Sequence, residues 1–154
     1  MSILKKSKIT ELDDVKEYLK SIPSLHYGGC GIAALAIKRW LKKHKNIDSH
    51  IIYGFTNKHD YYRPNAIAIE KNDLNAVSSC SHAGVCINGE TTIFDVKTVW
   101  SKDEFPYYLT MPEEFVVPSL NVNRWNSCFD RSHIKDIANK LKIDLSDVKL
   151  RVDD

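Results

Sequence analysis

The sequence predicts one domain of mixed helix and strand. Three observations carry that expectation. Apolar residues recur at helical spacing in three separate stretches, and an Asn88-Gly89 pair divides two β-rich runs. The 154 residues bury enough surface for one core and not for two. No internal repeat or low-complexity run breaks the chain, so the domain is expected to span residues 1–154.

Residues 9–21 set Leu12, Val15 and Leu19 on one helical face. Thr10 and Asp13 stand in the arrangement of a capping box, and Pro23 is the stop. A second helix opens at Tyr27-Gly28-Gly29-Cys30-Gly31 and continues through IAALAIKRWLKKHK. Ala33, Ile37, Trp40, Leu41 and His44 form its apolar stripe, widened by Ala34 and Leu35, so a nearly buried helix with a packed His44 is expected. Lys42, Lys43 and Lys45 suit the negative end of its dipole as a solvated helix end. His50 to Phe55 reads as a strand, residues 56–64 with His59 as a polar-aromatic loop, and residues 66–69 as a short strand. Asn88-Gly89 is the favoured dipeptide of a two-residue type I′ hairpin and separates AGVCI from ETTIF. Residues 101–125 carry Pro106, Pro112 and Pro118 and read as irregular chain or edge segments. Asp130 or Ser132 is expected to cap a last helix with Ile134, Ile137, Ala138 and Leu141 on its apolar face. Trp125 and Cys128 are expected to help dock that helix, with His133 at the surface.

Composition narrows the function classes. Lys and Arg number 22 against 20 Asp and Glu, and a net charge of +2 excludes a strongly basic nucleic-acid binder. The longest apolar run, Gly31 to Ile37, is far short of the roughly 18 residues of a membrane span. Acidic residues from Glu11 onward interrupt any apolar stretch after Lys5, Lys6 and Lys8, so no secretory signal and a reducing cytosol are expected. The four cysteines, Cys30, Cys80, Cys86 and Cys128, then read as thiols; their even number keeps disulfides as the alternative. No cofactor is expected. Lysine-rich composition and small size also fit a phage-encoded protein.

Cys30 follows two glycines and opens a long helix. The first helical turn has unpaired N–H groups and the positive end of the dipole, which together stabilise a thiolate. Gly29 and Gly31 flank it, letting a substrate approach the backbone, whose N–H groups can serve an oxyanion. A thiol exposed there is a nucleophile; the competing reading is a small buried residue that starts a core helix.

The hairpin adds a second element. With Asn88 and Gly89 in the two turn positions, Ile87 faces Glu90, and counting outward sets His82 directly opposite Asp95. That pair falls at a non-hydrogen-bonded position, where Cα atoms approach to roughly 4.5 Å. A carboxylate beside an imidazole fixes its tautomer and stabilises the imidazolium. The competing reading is a surface cross-strand ion pair. Gly84, two residues from His82, is expected to leave room for a substrate or for the Cys30 helix.

The segments YGGCGIAALAI (27–37) and SHAGVCINGETTIFD (81–95) resemble the papain-like cysteine peptidase superfamily, closer to its transglutaminase-like and bacterial cell-wall amidase branches than to papain. The resemblance covers about 26 residues of 154 and is specific in order: cysteine at a helix start, histidine entering a strand, aspartate on the next. It implies an α+β domain with a papain-like core, the nucleophile helix packed on a small antiparallel sheet. Cys30 would be the nucleophile, His82 the general base and then acid, and Asp95 the orienting carboxylate. Papain-type enzymes carry a glutamine six residues before the nucleophile where this chain has Ser24, and transglutaminases a tryptophan after it where this chain has Gly31. Oxyanion or substrate binding then falls to Tyr27, Gly29 and Gly31, with His26 a further candidate.

The leading function is acyl transfer through a thioester on Cys30, with a peptide or protein substrate and neither nucleic acid nor membrane as partner. Water as acceptor gives hydrolysis and an amine gives transglutaminase-type transfer. An inactive papain-like interaction module is the second reading. A zinc-stabilised domain using Cys80, His82 and Cys86 is the third, although strand geometry spreads those three over roughly 20 Å.

Overall fold

A computed structural model of the chain describes residues 9–22, 30–55, 82–104, 107–111, 113 and 131–148. The loop around His59, the strand expected at 66–69, and Ser24, His26, Tyr27, Gly29, Cys80, Trp125, Cys128 and Asp130 lie outside them.

The first helix, α1, spans Leu12–Lys20 and buries Val15 and Leu19. Its cap sits one residue later than the sequence suggests. Asp14 Oδ2 accepts the Glu11 N–H at 3.0 Å and the Thr10 N–H at 3.1 Å, so the acidic partner is Asp14 and not Asp13. Helix α2 spans Cys30–Lys45, with residues 31–37, Trp40 and Leu41 buried. It ends at Asn46, whose φ of 54° turns the chain out of the helix. The final helix, α3, spans Arg131–Leu141 and buries Ile134, Ile137 and Leu141. Ser132 is its second residue and therefore not its cap. Lys142 holds φ 55°, and the Ile143 N–H reaches Ala138 O at 3.0 Å, as in a Schellman ending. His133, expected at the surface, is partly exposed.

Five strands follow β-branched and aromatic runs: β1 Ser49–Phe55, β2 His82–Ile87, β3 Thr92–Phe94, β4 Val99–Ser101 and β5 Tyr107–Met111. They form one sheet in the order β4-β3-β2-β1-β5, and every neighbouring pair is antiparallel. The described residues are therefore α+β. Strand β5 is an edge strand bounded by Pro106 and Pro112, which fits two residues unable to donate to a ladder.

Alternation along the strands divides the sheet into two faces. Ile51, Ala83, Val85 and Phe94 join all three helices in one apolar cluster. Ile52, Cys86 and Ile93, with half-buried Trp100 against them, form a second cluster on the other face. Lys16 of α1 lies 4.5 Å from the centre of the Phe94 ring, a cation–π contact at the edge of the larger cluster.

A polar clamp fixes α2 to the segment after α3. All five N–H donors of Arg39 are used. Nε and Nη2 reach Glu113 Oε2 at 3.1 and 2.8 Å, Nη1 reaches Asp144 O and Asp147 Oδ1 at 2.9 and 2.8 Å, and Nη2 also reaches Asp147 Oδ2 at 2.9 Å. Lys38 adds a 2.7 Å bond to the other Glu113 oxygen. Burial opposes ionisation of Glu113, but the bonds from Lys38 and Arg39 outweigh it and hold the carboxyl below its usual range. The Arg39 bonds hold Asp147 below its usual range too.

Two expectations for the end of α2 resolve differently. Lys42 pairs with Asp48 at 2.8 Å and Lys45 with Glu11 at 3.4 Å, both exposed, which is a solvated helix end. His44 is exposed and not part of the core. Its ring lies 5.7 Å from that of Trp40, tilted by 36°, and Nε2 donates to Leu141 O at 2.9 Å and Lys142 O at 3.1 Å, carbonyls at the end of α3. A stripe position in the last turn lies beyond the sheet, so the ring caps a neighbouring helix and not a core cavity. Among the described residues no helix is long and apolar enough to cross a membrane.

Candidate active site

Three elements position the three candidate residues. Cys30 is the first residue of α2, and no acidic residue stands in that helix's first turn. Three residues, 46–48, connect α2 to β1, and α2 packs on β1 and β2, so the helix folds back along the strand that follows it. Sixteen helical residues extend about 24 Å, and seven strand residues about 23 Å. Matching lengths carry the start of α2 towards the end of β1, where Gly54 pairs with His82, the first residue of β2. Cys30 and His82 thus belong to the same end of the two layers. Gly31, next to Cys30, is buried.

The face of the sheet matters as much as its end. The helices pack on the face of Ala83 and Val85. His82 holds a register position two residues from Gly84 and four from Cys86, on the alternate face.

Asp95 stands elsewhere than the turn arithmetic predicts. Val85 pairs with Phe94, whereas the two-residue count sets it opposite Thr92. Extending the observed pairing puts Asp95 level with Gly84, diagonal to His82 on the same face. Diagonal neighbours are about 7–8 Å apart at Cα, still within reach of a long or ring side chain. Direct opposition is therefore replaced by a diagonal relation.

The turn explains the shift. Its closing bond, Glu90 N–H to Ile87 O at 2.9 Å, is present, but only Gly89 has positive φ, 88°. A type I′ turn needs positive φ at both central residues; one at the second position is the type II pattern, whose twist fits a two-residue hairpin poorly. Asn88 is held by the start of β1 instead. Its N–H donates to Asp48 O at 3.0 Å, and its Oδ1 lies 2.7 Å from His50 Nδ1. The ladder resumes only at Thr92, and two extra residues enter on the β3 side.

Asp95 also carries a duty that the sequence reading missed. Its Oδ1 accepts the Lys97 N–H at 2.8 Å and the Thr98 N–H at 2.6 Å, and its own N–H donates to Thr98 O at 3.0 Å. This Asx-type turn joins β3 to β4 and fixes the half-buried carboxylate in place. The signal was present as an aspartate at a strand end followed three residues later by threonine.

Gly84 does not leave room for a substrate. A Cβ there would meet Ile93 Cγ2 at 2.8 Å and Phe94 O at 3.0 Å, so its missing side chain admits the neighbouring strand. Cys86 is buried, and its thiol lies 3.3 Å from Glu90 O, a packing role rather than a ligand's. Among the described residues, no group of three or more histidine, cysteine or acidic side chains is arranged to hold a metal. Comparison with family models, with curated proteins and with solved structures returns no match.

Proposed function

We propose that the chain is a papain-like cysteine hydrolase that cleaves a peptide, isopeptide or amide bond through a thioester on Cys30. The observation that supports this most is the packing of α2 on β1 and β2 after a three-residue connection, consistent with Cys30 and His82 at one end of the two layers and Asp95 diagonal to His82 in the ladder. The Cys30 sulfur attacks the carbonyl carbon of the substrate. His82 takes the thiol proton and delivers it to the leaving amine, which departs as the thioester forms. Water then attacks the thioester with His82 as base, releasing the acid and restoring the thiol. Asp95, anchored by its turn, orients the imidazole and stabilises its cationic form. The backbone N–H groups at the start of α2 receive the oxyanion. An amine in place of water would make the second step a transglutaminase-type transfer. A peptide or protein substrate in a reducing compartment suits a free thiol.

Thiol reactivity tests the reading. Iodoacetamide labelling between pH 5 and 8, followed by peptide mass mapping, is expected to modify Cys30 selectively. In His82→Ala the rate at neutral pH is expected to fall about tenfold or more, as the thiolate loses its imidazolium partner. Equal, slow labelling of Cys30 in both proteins would instead support an inactive module that keeps the scaffold.

A further inference from the structure

We propose that Asn88 is a site of spontaneous covalent modification, its side-chain amide converting to aspartate and isoaspartate with His50 assisting the step. Asn88-Gly89 is the only dipeptide of its kind in the chain. Its chemistry is general: the backbone nitrogen that follows an asparagine can close a ring on the side-chain carbonyl carbon. Glycine leaves that nitrogen open to the reaction, because no Cβ shields it. Three observations make this turn a reactive instance. Both residues are exposed to water. Among the described residues no backbone carbonyl accepts the Gly89 N–H, the group that must lose its proton and attack. Asn88 Oδ1 lies 2.7 Å from His50 Nδ1. An amide oxygen only accepts, so Nδ1 carries the proton and donates. That N–H faces the atom on which negative charge develops as the Gly89 nitrogen adds to Cγ, which is the placement an oxyanion donor needs. Two other asparagines supply the contrast. The nitrogen after Asn46 belongs to Ile47 and donates to Leu41 O at 3.1 Å. The nitrogen after Asn139 belongs to Lys140, inside α3.

The step balances without any further reagent than water. Gly89 nitrogen gives up its proton and bonds to Asn88 Cγ, and the carbonyl electrons move onto Oδ1 under the His50 N–H. Collapse of that intermediate breaks the bond from Cγ to the amide nitrogen, which takes up a proton and leaves as ammonia. The succinimide that remains is opened by water at either of its carbonyls, giving aspartate or isoaspartate. The isoaspartyl product carries one extra backbone carbon in a turn now closed by the bond from Glu90 N–H to Ile87 O at 2.9 Å. Either product sets a carboxylate beside His50. The β2–β3 turn thus changes charge, and in part length, as the protein ages.

Incubation of the purified chain at neutral pH, in buffer and in urea, followed by peptide mass mapping, tests the proposal. The amide-to-acid mass change is expected on the peptide that holds Asn88 and not on those that hold Asn46 or Asn139, and faster in buffer than in urea. An isoaspartate-specific methyltransferase should label the same peptide. His50→Ala is expected to slow the conversion in buffer about fivefold, the loss of one hydrogen bond to the reacting oxygen, and to leave the rate in urea unchanged. Gly89→Ala, whose added Cβ meets nothing within 4 Å, should lose most of the conversion in both solvents, because the attacking nitrogen is then shielded whether or not the chain is folded. If His50→Ala does not fold, the wild-type rates in buffer and in urea decide. A wild-type rate in buffer no faster than in urea, or a folded His50→Ala that converts as fast as the wild type, would overturn the proposal.

Discussion

Arg39 and Asp147 are joined by two parallel hydrogen bonds, Nη1 to Oδ1 at 2.8 Å and Nη2 to Oδ2 at 2.9 Å, across 108 residues of sequence. The same guanidinium holds Glu113, and its side chain is only 19% exposed. Planarity, five donors and partial burial make this a geometrically specific polar contact. Replacing Arg39 by methionine is expected to cost about 2 kcal/mol, because two carboxylates lose a shared cation in a partly desolvated site. Lys42→Ala, which breaks the exposed pair with Asp48, should cost far less. Urea unfolding of the two variants measures both. Equal losses would show that the clamp is no stronger than a surface pair.

The clamp also gives stability a pH dependence with a definite sign. The Glu113 and Asp147 carboxyls lie below their ordinary values of 4.5 and 3.8 in the folded chain. A depressed folded pKa means that the unfolded chain binds protons first on acidification, so the contribution is complete above the unfolded value and drains away as pH falls through the folded one. The urea midpoint should stay level from neutral pH down to about 5 and decline below about 4. In Arg39→Met the decline should be shallower; an identical slope would place the acid-labile groups elsewhere.

Asp95 closes its turn and is proposed to orient His82, and substitution can separate the two roles. Asp95→Asn keeps an oxygen for the Lys97 and Thr98 N–H groups and should change stability by less than about 0.5 kcal/mol, whereas Asp95→Ala leaves both donors unpaired and should cost about 1–2 kcal/mol. Both should slow Cys30 alkylation if the carboxylate orients His82. Melting curves and labelling rates on the same samples check the two effects. Asn behaving like wild type in both assays would reduce Asp95 to a turn residue.

Lys142 occupies a left-handed position that glycine fills without strain. Lys142→Gly is expected to stabilise the chain by about 0.5–1 kcal/mol. A lower melting temperature would mean that the lysine side chain contributes more than its backbone loses.

Gly84→Ala should destabilise strongly, by about 1–3 kcal/mol, since the new methyl meets Ile93 and the Phe94 carbonyl. Adding Ile93→Val should recover only part of that, because the carbonyl belongs to the backbone. Full recovery in the double variant would show that β3 can move.

Local pattern was legible where a single force decides it. The stripes of α1, α2 and α3 follow the spacing of Val15 and Leu19, of Ile37 and Trp40, and of Ile134, Ile137 and Leu141, because burial alone selects those positions. The hairpin was legible in place and not in register. Asn-Gly favours type I′ locally, but Asp48 and His50 hold Asn88 through contacts nearly forty residues apart in sequence. His44 was misplaced for a related reason: a helical wheel shows which side faces inward and not where the neighbouring layer ends. The end of the sheet towards which α2 starts follows from the short connection after that helix, visible in sequence only once helix and strand lengths are compared.

Residues 143–148 act as a strap. Asp144 and Asp147 grip Arg39 midway along the helix that begins with Cys30, while Ile143, Leu145 and Val148 are buried beneath. A stop codon after Lys142 would therefore do more than shorten the chain. It would remove the partners that hold the helix beginning at Cys30 through Arg39, together with three apolar side chains of the core, so truncation from this end should be read as injury to the core.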